Sequence, residues 1–381
     1  MHICLCSKFC NRKEIIMEKR KYLTITLTES CNLSCTYCYE NHKSLRCMSI
    51  DTLKKIIKNE MCNNDDFSEV EIGLFGGEPF IKFNLIKEIY EYIKNLSSNK
   101  KYIFFASTNG TLVHGEIKEW LKKSPYFVCG LSYDGTPDMT NINRSNSANK
   151  IDLSFFKEQY PNQPVKMTIS KETLPYLSEG VIFLQRKGFD VSCNLAYGID
   201  WSDNTNKEIL ENELMKLVEF YLNNPELKPC SMLDMSISNI ANTYSSKKYM
   251  RYCGAGISTK AYDVNGVEYP CQFFMPLSVG EEKARESLNL TFYDKSIPEK
   301  NIEEKCRDCI VQSICPTCYG SNYASTGSIY IHDNNMCALN KIQLKARSYF
   351  KAMQWKLGQL NLSKREEINL LKSIKLIQEN I

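Results

Sequence analysis

A chain of 381 residues is too long for one ordinary domain and suits a barrel-sized domain joined to a smaller one. With 43 % hydrophobic and 24 % charged residues, a formal net charge of +4 and no long basic block, it gives no reason to invoke nucleic acid or a membrane as the main partner. The start, MHICLCSKFCNRKEII, lacks the apolar core of a signal peptide, and no run of about 18 apolar residues suggests a spanning helix. A cytoplasmic protein is expected. Its 18 cysteines then read as metal ligands or redox groups, because a reducing compartment does not favour disulfides.

From residue 21 the chain alternates strand and helix patterns. Residues 21–29 (KYLTITLTE) read as a strand, and SIDTLKKIIKNEM, from Ser49, as a helix. Strand patterns at 68–76, 101–108, 126–135, 165–170 and 190–198 precede helix patterns at 85–96, 116–123, 152–159, 176–188 and 207–222. Six β-then-α units argue for an α/β fold with a parallel sheet and outer helices. They are too few to close an eight-unit barrel, so a partial (β/α)6 TIM-type barrel over 21–225 is expected. Chemistry in such sheets gathers at the C-terminal ends of the strands.

A linker (226–252) with one helix near 231–248 follows, then a cysteine-rich region at 253–337. There ISTKAYDVNGVEYPC reads as a hairpin, with Asn265-Gly266 supplying the positive φ of its turn. The remainder, 338–381, is helical and charged and is expected to pack on the core, with partner docking as the alternative. Residues 1–20 are an N-terminal extension. Because Met17 opens a conventional-looking start, residues 1–16, with Cys4, Cys6 and Cys10, are expected to be dispensable for metal content.

The stretch CNLSCTYCYE places Cys31, Cys35 and Cys38 in a C-x3-C-x2-C pattern just after the first strand. A structural zinc site needs four closed ligands. Three thiolates on a cubane leave one iron open, whereas electron-carrier clusters normally take four. This pattern, with Tyr37 before the third cysteine, resembles the radical S-adenosylmethionine (radical SAM) superfamily. That resemblance implies a 4Fe-4S cluster whose open iron binds the amino and carboxylate groups of SAM. It also implies reductive cleavage of SAM to methionine and a 5'-deoxyadenosyl radical. In GLFGGEPF, ending the second strand, adjacent glycines permit close backbone approach and exposed main-chain polar groups. The resemblance assigns Gly76, Gly77, Glu78 and Pro79 to holding the SAM amino group. STNGTL (107–112) resembles the family's third-strand motif. Ser132 and Arg144 match positions that contact SAM in peptide-modifying relatives, an arginine fork suiting a carboxylate. Leu195, on the sixth strand, is the expected adenine contact.

The later cysteines run Cys253, Cys271, then Cys306, Cys309, Cys315 and Cys318 as C-x2-C-x5-C-x2-C, then Cys337. In isolation C-x2-C pairs suit zinc as well as iron. Behind the first motif the array resembles the SPASM extension of radical SAM enzymes, which carries two auxiliary 4Fe-4S clusters, three in all. The family commonly has x3 where this chain has its last x2. By resemblance, Cys306, Cys309, Cys315 and Cys337 close the distal cluster and Cys253, Cys271 and Cys318 hold the proximal one. Seven thiols leave an open proximal iron for a substrate thiolate, unless Cys230 or a non-cysteine residue closes it. Cys129 and Cys193 lie within strands and are expected to be packed hydrophobes.

SPASM relatives mostly act on peptides or proteins. The sulfatase-maturating branch, which oxidises cysteine or serine to formylglycine, carries an aspartate base directly after the hairpin's second cysteine. Here that residue is Gln272, which cannot accept the proton. The expectation is therefore an oxidative maturase of a ribosomally made peptide, forming a thioether or another cross-link under anaerobic conditions. Its expected partners are the peptide and a low-potential donor of flavodoxin or ferredoxin type; about twenty residues before the first strand are too few for a leader-recognition domain, so leader binding, where needed, is expected from a separate protein or from the C-terminal helices. Sulfatase-type oxidation and a non-catalytic metal-binding peptide scaffold are the alternatives. The catalytic base is unassigned; Glu268 and Asp263, flanking the hairpin, are candidates indistinguishable from solvated turn residues.

Overall fold

The computed structural model describes residues 19–246, 253–293 and 303–381. The proposed dispensable segment 1–16 lies outside them. Six β/α units are present. The strands are β1 (Arg20–Thr28), β2 (Glu69–Gly76), β3 (Lys101–Thr108), β4 (Phe127–Leu131), β5 (Val165–Ile169) and β6 (Val191–Leu195). The helices between and after them are α1 (Ile50–Cys62), α2 (Phe83–Lys94), α3 (Gly115–Lys122), α4 (Pro137–Asn143), α5 (Leu153–Gln159), α6 (Leu177–Arg186) and α7 (Asn204–Asn223). β1 to β4 pair in parallel, as do β5 and β6. A bridge between Ser132 and Lys166 carries the wall from β4 to β5. The result is the partial barrel expected from the six units.

The inward–outward alternation on β5 shows how the barrel is filled. Val165, Met167 and Ile169 are buried in the core, while Lys166 and Thr168 line the central cavity. α4 is an element the periodicity did not suggest. Its signals are local: Thr136 caps it by accepting from the Met139 N–H, and Pro137 opens its first turn. Its seven residues are too few to show a helical period.

The expected single helix near 231–248 is broken into α8 (Ser231–Asp234) and α9 (Ile240–Ser246); 247 and 248 lie outside the described residues. Arg347 Nε takes the Met232 carbonyl at 2.6 Å, the acceptor that a continued helix would offer to Ser236. The hairpin forms as β7 (Thr259–Tyr262) and β8 (Glu268–Tyr269), with Gly266 at φ +82°. The sequence did not show its location: β7 pairs in parallel with β1 and extends the barrel sheet to the order β4-β3-β2-β1-β7-β8.

Short helices α10 (Pro276–Val279), α11 (Glu281–Ser287), α12 (Glu304–Arg307) and α13 (Tyr319–Thr326) follow the hairpin. The chain ends in α14 (Asn334–Lys356) and α15 (Lys364–Asn380). α14 lies along α7, with Phe350 buried beside Tyr221. α15 buries Leu370, Ile374 and Ile377 in a separate apolar cluster with Ile237 and Ile240. No helix of the described residues is long and apolar enough to cross a membrane.

The end of the barrel opposite the strand C-termini is held by charge. Lys21, only 2 % exposed, meets Glu60 at 2.7 Å and Asp65; Lys100 meets Asp65 at 2.6 Å, and Tyr262 of β7 reaches Glu60. Burial would raise the Asp65 carboxyl, but hydrogen bonds from Lys100 and Lys21 outweigh it and hold it at about 2, below its ordinary 3.8. A carboxyl depressed by folding lends stability above its unfolded pKa and loses it as pH falls toward the folded value. The stability gap between the wild type and Asp65→Asn should therefore close as pH drops from about 4 to about 2. Urea midpoints measured across that range check this, and a gap independent of pH refutes it.

Candidate active site

The loop from Glu29 to Met48 carries the three clustered thiols over the C-terminal mouth of the barrel. Its ends are tied where it leaves and re-enters the sheet: Arg46 grips buried Glu29 at 2.9 and 3.0 Å, and Ser30 Oγ donates to the Ser44 carbonyl. The third-strand motif secures its flank, with Asn32 bonded to Thr111 at 2.8 Å and to Asn109 at 2.9 Å. Thr36 N–H donates to the Asn143 carbonyl at the end of α4. The loop is thus fixed on three sides before any ligand arrives.

The glycines of GGEP serve this loop. A Cβ at Gly76 would stand 2.0 Å from the Thr28 carbonyl oxygen, and one at Gly77 would stand 2.3 Å from the Ser30 oxygen and 2.8 Å from Cys31 Cβ. The Gly77 and Glu78 N–H groups donate to the Thr28 and Ser30 carbonyls at 3.1 and 3.0 Å. These two N–H groups are therefore spent on holding the turn against the end of β1 and the thiol loop. Glu78, 1 % exposed, accepts from the Asn109 N–H at 2.8 Å, Thr108 Oγ1 at 2.9 Å and the Phe80 N–H at 3.2 Å. Burial dominates these bonds and pushes its carboxyl up to about 7.

A cavity of about 240 Å³ lies beneath the loop. Cys31, Cys35, Cys38, Tyr37, Gly76, Gly77, Glu78, Ser132, Arg144 and Leu195 all line it. Pro79 does not; it is buried at the start of the turn after Glu78. The three thiols lie close enough for each to feel the others' charge. Burial raises Cys35 to about 11, so a metal must displace protons to bind here. Three converging sulfurs fit an iron–sulfur cluster, and Lys43 stands among them.

Arg144 is placed differently from the expectation of a free fork. Its Nε and Nη2 hold Asp134 at 2.8 and 3.0 Å, and its guanidinium lies 5.4 Å from the Tyr37 ring. Asp134 also accepts from Tyr37 OH at 2.6 Å and from the Thr168 N–H at 2.8 Å. Burial opposes the Arg144 charge, but Asp134 outweighs it and raises its pKa. Among the described residues Nη1 has no hydrogen bond, so one nitrogen remains for a ligand.

Sequence reasoning missed Asp134, Glu40 and Lys166. Asp134 lies in the run SYDG (132–135) at a strand end, and Glu40 follows the third thiol by two positions. Lys166 was detectable as an inward position on a period-2 strand. Its amine sits 5.3 Å above the Phe105 ring and 3.5 Å from Ser107 Oγ, and burial lowers it to about 8. The base candidates lie elsewhere: Asp263 accepts the Asn265 and Val267 N–H groups in the hairpin turn, and Glu268 pairs with Lys260. Neither lines the cavity.

The later thiols fall into two sets. Cys253, Cys271 and Cys318 influence one another, and so do Cys306, Cys309, Cys315 and Cys337. Cys318 also caps α13, accepting from the Ser321 N–H. Tyr39 joins the first set of thiols to Cys271 and Cys318, its ring stacked on Phe273 at 4.3 Å. Cys230 is fully buried beside Cys193 and Tyr221. Cys230→Ser is expected to leave iron content after reconstitution unchanged, whereas Cys318→Ser lowers it. Iron and sulfide analysis checks both.

Residues 25–155 match the radical SAM superfamily. The chain carries a radical SAM domain. An uncharacterised protein of Methanocaldococcus jannaschii is 32 % identical over 175 residues, covering 44 % of this chain and 60 % of that relative's length. The radical SAM cyclopropyl synthase TigE of Paramaledivibacter caminithermalis is 22 % identical over 86 % of this chain and 74 % of its own. A cysteine-type anaerobic sulfatase-maturating enzyme of Clostridium novyi is 23 % identical over 78 % and 87 %. The solved structure of native anSMEcpe with bound AdoMet and Kp18Cys peptide superposes with a TM-score of 0.64 at 19 % identity, covering 89 % of this chain and 99 % of that one. That likeness establishes the fold. With the radical SAM domain comes a 4Fe-4S cluster and SAM, which fit the thiol loop and the cavity. Residues 25–155 thus match a superfamily of enzymes, which weighs against the non-catalytic scaffold.

Proposed function

We propose that this enzyme is a peptide maturase that oxidises a ribosomally made peptide by two electrons, forming a thioether or another cross-link. The observation that carries this reading is the grouping of thiols: a set of three beneath Tyr39, next to the barrel mouth, and a set of four beyond it. A proximal set of three thiols would leave room for a substrate thiolate. We read 253–337 as a SPASM extension of the barrel (21–225) that holds two auxiliary clusters, joined by the linker 226–252 and followed by the helices 338–381. The anSMEcpe structure, solved with a peptide bound, supports a peptide as substrate.

A cluster and SAM bound here would supply a carbon radical able to take one hydrogen atom, and auxiliary clusters would accept the second electron while the peptide releases a proton. The chain's own residues orient and enclose. The tied loop fixes the thiols, and Asp134 fixes Tyr37 and Arg144. We assign Ser132 and Nη1 of Arg144 to the SAM carboxylate, the GGEP turn to the SAM amino group and Leu195 to adenine. Glu78 is enclosed by three hydrogen bonds, which favours a supporting role for it. A low-potential flavodoxin or ferredoxin would supply the electron, and a separate protein would recognise the leader. Exposed thiols and a reducible cluster suit the cytoplasm.

Anaerobically reconstituted enzyme, given reductant, SAM and peptides encoded beside it, is expected to lower a peptide's mass by two hydrogens. Unchanged peptide alongside intact SAM would overturn the proposal. Sulfatase-type oxidation is the second reading, favoured by the Clostridium novyi relative and distinguished by an aldehyde product. Gln272, which lines the cavity as a neutral amide, weighs against it.

A further inference from the structure

The cavity beneath the thiol loop contains two oxygen acceptors with nothing to accept. Glu40 is 6 % exposed and Gln272 is 7 % exposed, and Oε1 of each is buried without a hydrogen-bond partner among the described residues. Both line the same cavity as the three clustered thiols. They arrive from separate parts of the chain, one on the thiol loop and the other after the hairpin. The Tyr39–Phe273 stack clasps those two segments together, as does the His42 N–H donating to the Leu277 carbonyl at 3.2 Å. These contacts hold the two segments, and so the two acceptors, at one cavity.

A buried acceptor left unpaired costs about 1–3 kcal/mol, and more when it is charged. Two such groups facing one cavity are tolerated when a ligand supplies the donors. A hydroxyl or thiol offers one hydrogen, whereas ammonium, guanidinium and carboxamide groups offer two or more. We propose that Glu40 and Gln272 form the acceptor face of a substrate subsite that takes an N–H-bearing side chain of the peptide: lysine, arginine, asparagine or glutamine. This rests on the peptide-maturase reading and adds to it a preference for the residue seated beside the reacting position. The lone cation influencing Glu40 is Lys43, which stands among the thiols with its amine 3.5 Å from the Leu33 carbonyl. It leaves the Glu40 oxygen unfilled.

The test uses the iron-loaded full chain with SAM under anaerobic conditions. The probes are radiolabelled, end-blocked pentapeptides Gly-Gly-X-Gly-Gly with X as lysine, glutamine, norleucine or glutamate, read by equilibrium dialysis. The wild type should retain the lysine and glutamine peptides at least about fivefold more tightly than the norleucine peptide, the share of one satisfied hydrogen bond. Glu40→Leu should bring them within about twofold of norleucine. Gln272→Glu, which replaces the amide with a carboxyl group, should raise the lysine-to-glutamine ratio. Equal retention of all four peptides by the wild type overturns the proposal. So does a preference that survives Glu40→Leu, or a matching loss of SAM affinity in that variant, which would make SAM the donor. If Glu40→Leu fails to load iron, Gln272→Glu decides alone, and an unchanged lysine-to-glutamine ratio overturns the proposal. The two-hydrogen mass loss on precursor peptides tests the maturase reading separately, so each can fail without the other.

Discussion

Asp134→Ala is expected to cost about 3–5 kcal/mol of stability and to weaken SAM binding. Asp134 has no exposure and accepts five hydrogen bonds, from two Arg144 nitrogens, Tyr37, Thr168 and Asn143. Removing it leaves the Arg144 guanidinium, 7 % exposed, as an uncompensated buried charge. It also frees Tyr37, which stands between two of the clustered cysteines. The double replacement Asp134→Leu with Arg144→Met should recover much of the lost stability, because an apolar pair of similar volume removes both charges. It should not recover SAM affinity. Chemical denaturation and SAM binding on the reconstituted enzyme measure the two effects. An Asp134→Ala variant within about 1 kcal/mol of wild type would show that the pair does not organise the site.

Gly77→Ala should lose the iron of the SAM-binding cluster while the auxiliary thiols still load. The added methyl would lie 2.3 Å from the Ser30 oxygen, 2.5 Å from its carbonyl carbon and 2.8 Å from Cys31 Cβ. Ser30 cannot yield easily, because its carbonyl already accepts the Glu78 N–H. Overpacking of this kind costs about 1–3 kcal/mol, and here the shift falls on a cluster ligand. SAM cleavage should disappear with the iron. Gly198→Ala is the control: its φ of +74° strains an alanine, but a methyl there meets nothing within 4 Å. It should lose about 1–2 kcal/mol and keep its iron. Iron counts and electron paramagnetic resonance separate the two variants. Full iron retention in Gly77→Ala would mean that the loop can move off the turn.

Much of the molecule is written in short-range patterns. Six alternating units, the C-x3-C-x2-C spacing, the GGEP turn and the Asn265-Gly266 hairpin each depend on residues within one turn or one strand. A reader of the chain can apply 3.6- and 2-residue periods and glycine conformational freedom to find them. α4 escaped because seven residues show a cap and a proline but no period.

What the tertiary structure decided lies in pairs far apart in sequence. Arg144 matched a ligand-contact pattern, yet Asp134, ten positions earlier, claims two of its nitrogens once both are buried. Spacing could not show that Cys230 is buried beside Tyr221 and Cys193; packing does. The hairpin was legible, but its place against β1 rests on register and on Tyr262 reaching Glu60 across the sheet. The unpaired oxygens of Glu40 and Gln272 belong to the same class. An acceptor is satisfied or orphaned only by what folding brings within about 3 Å of it, and no local pattern records that.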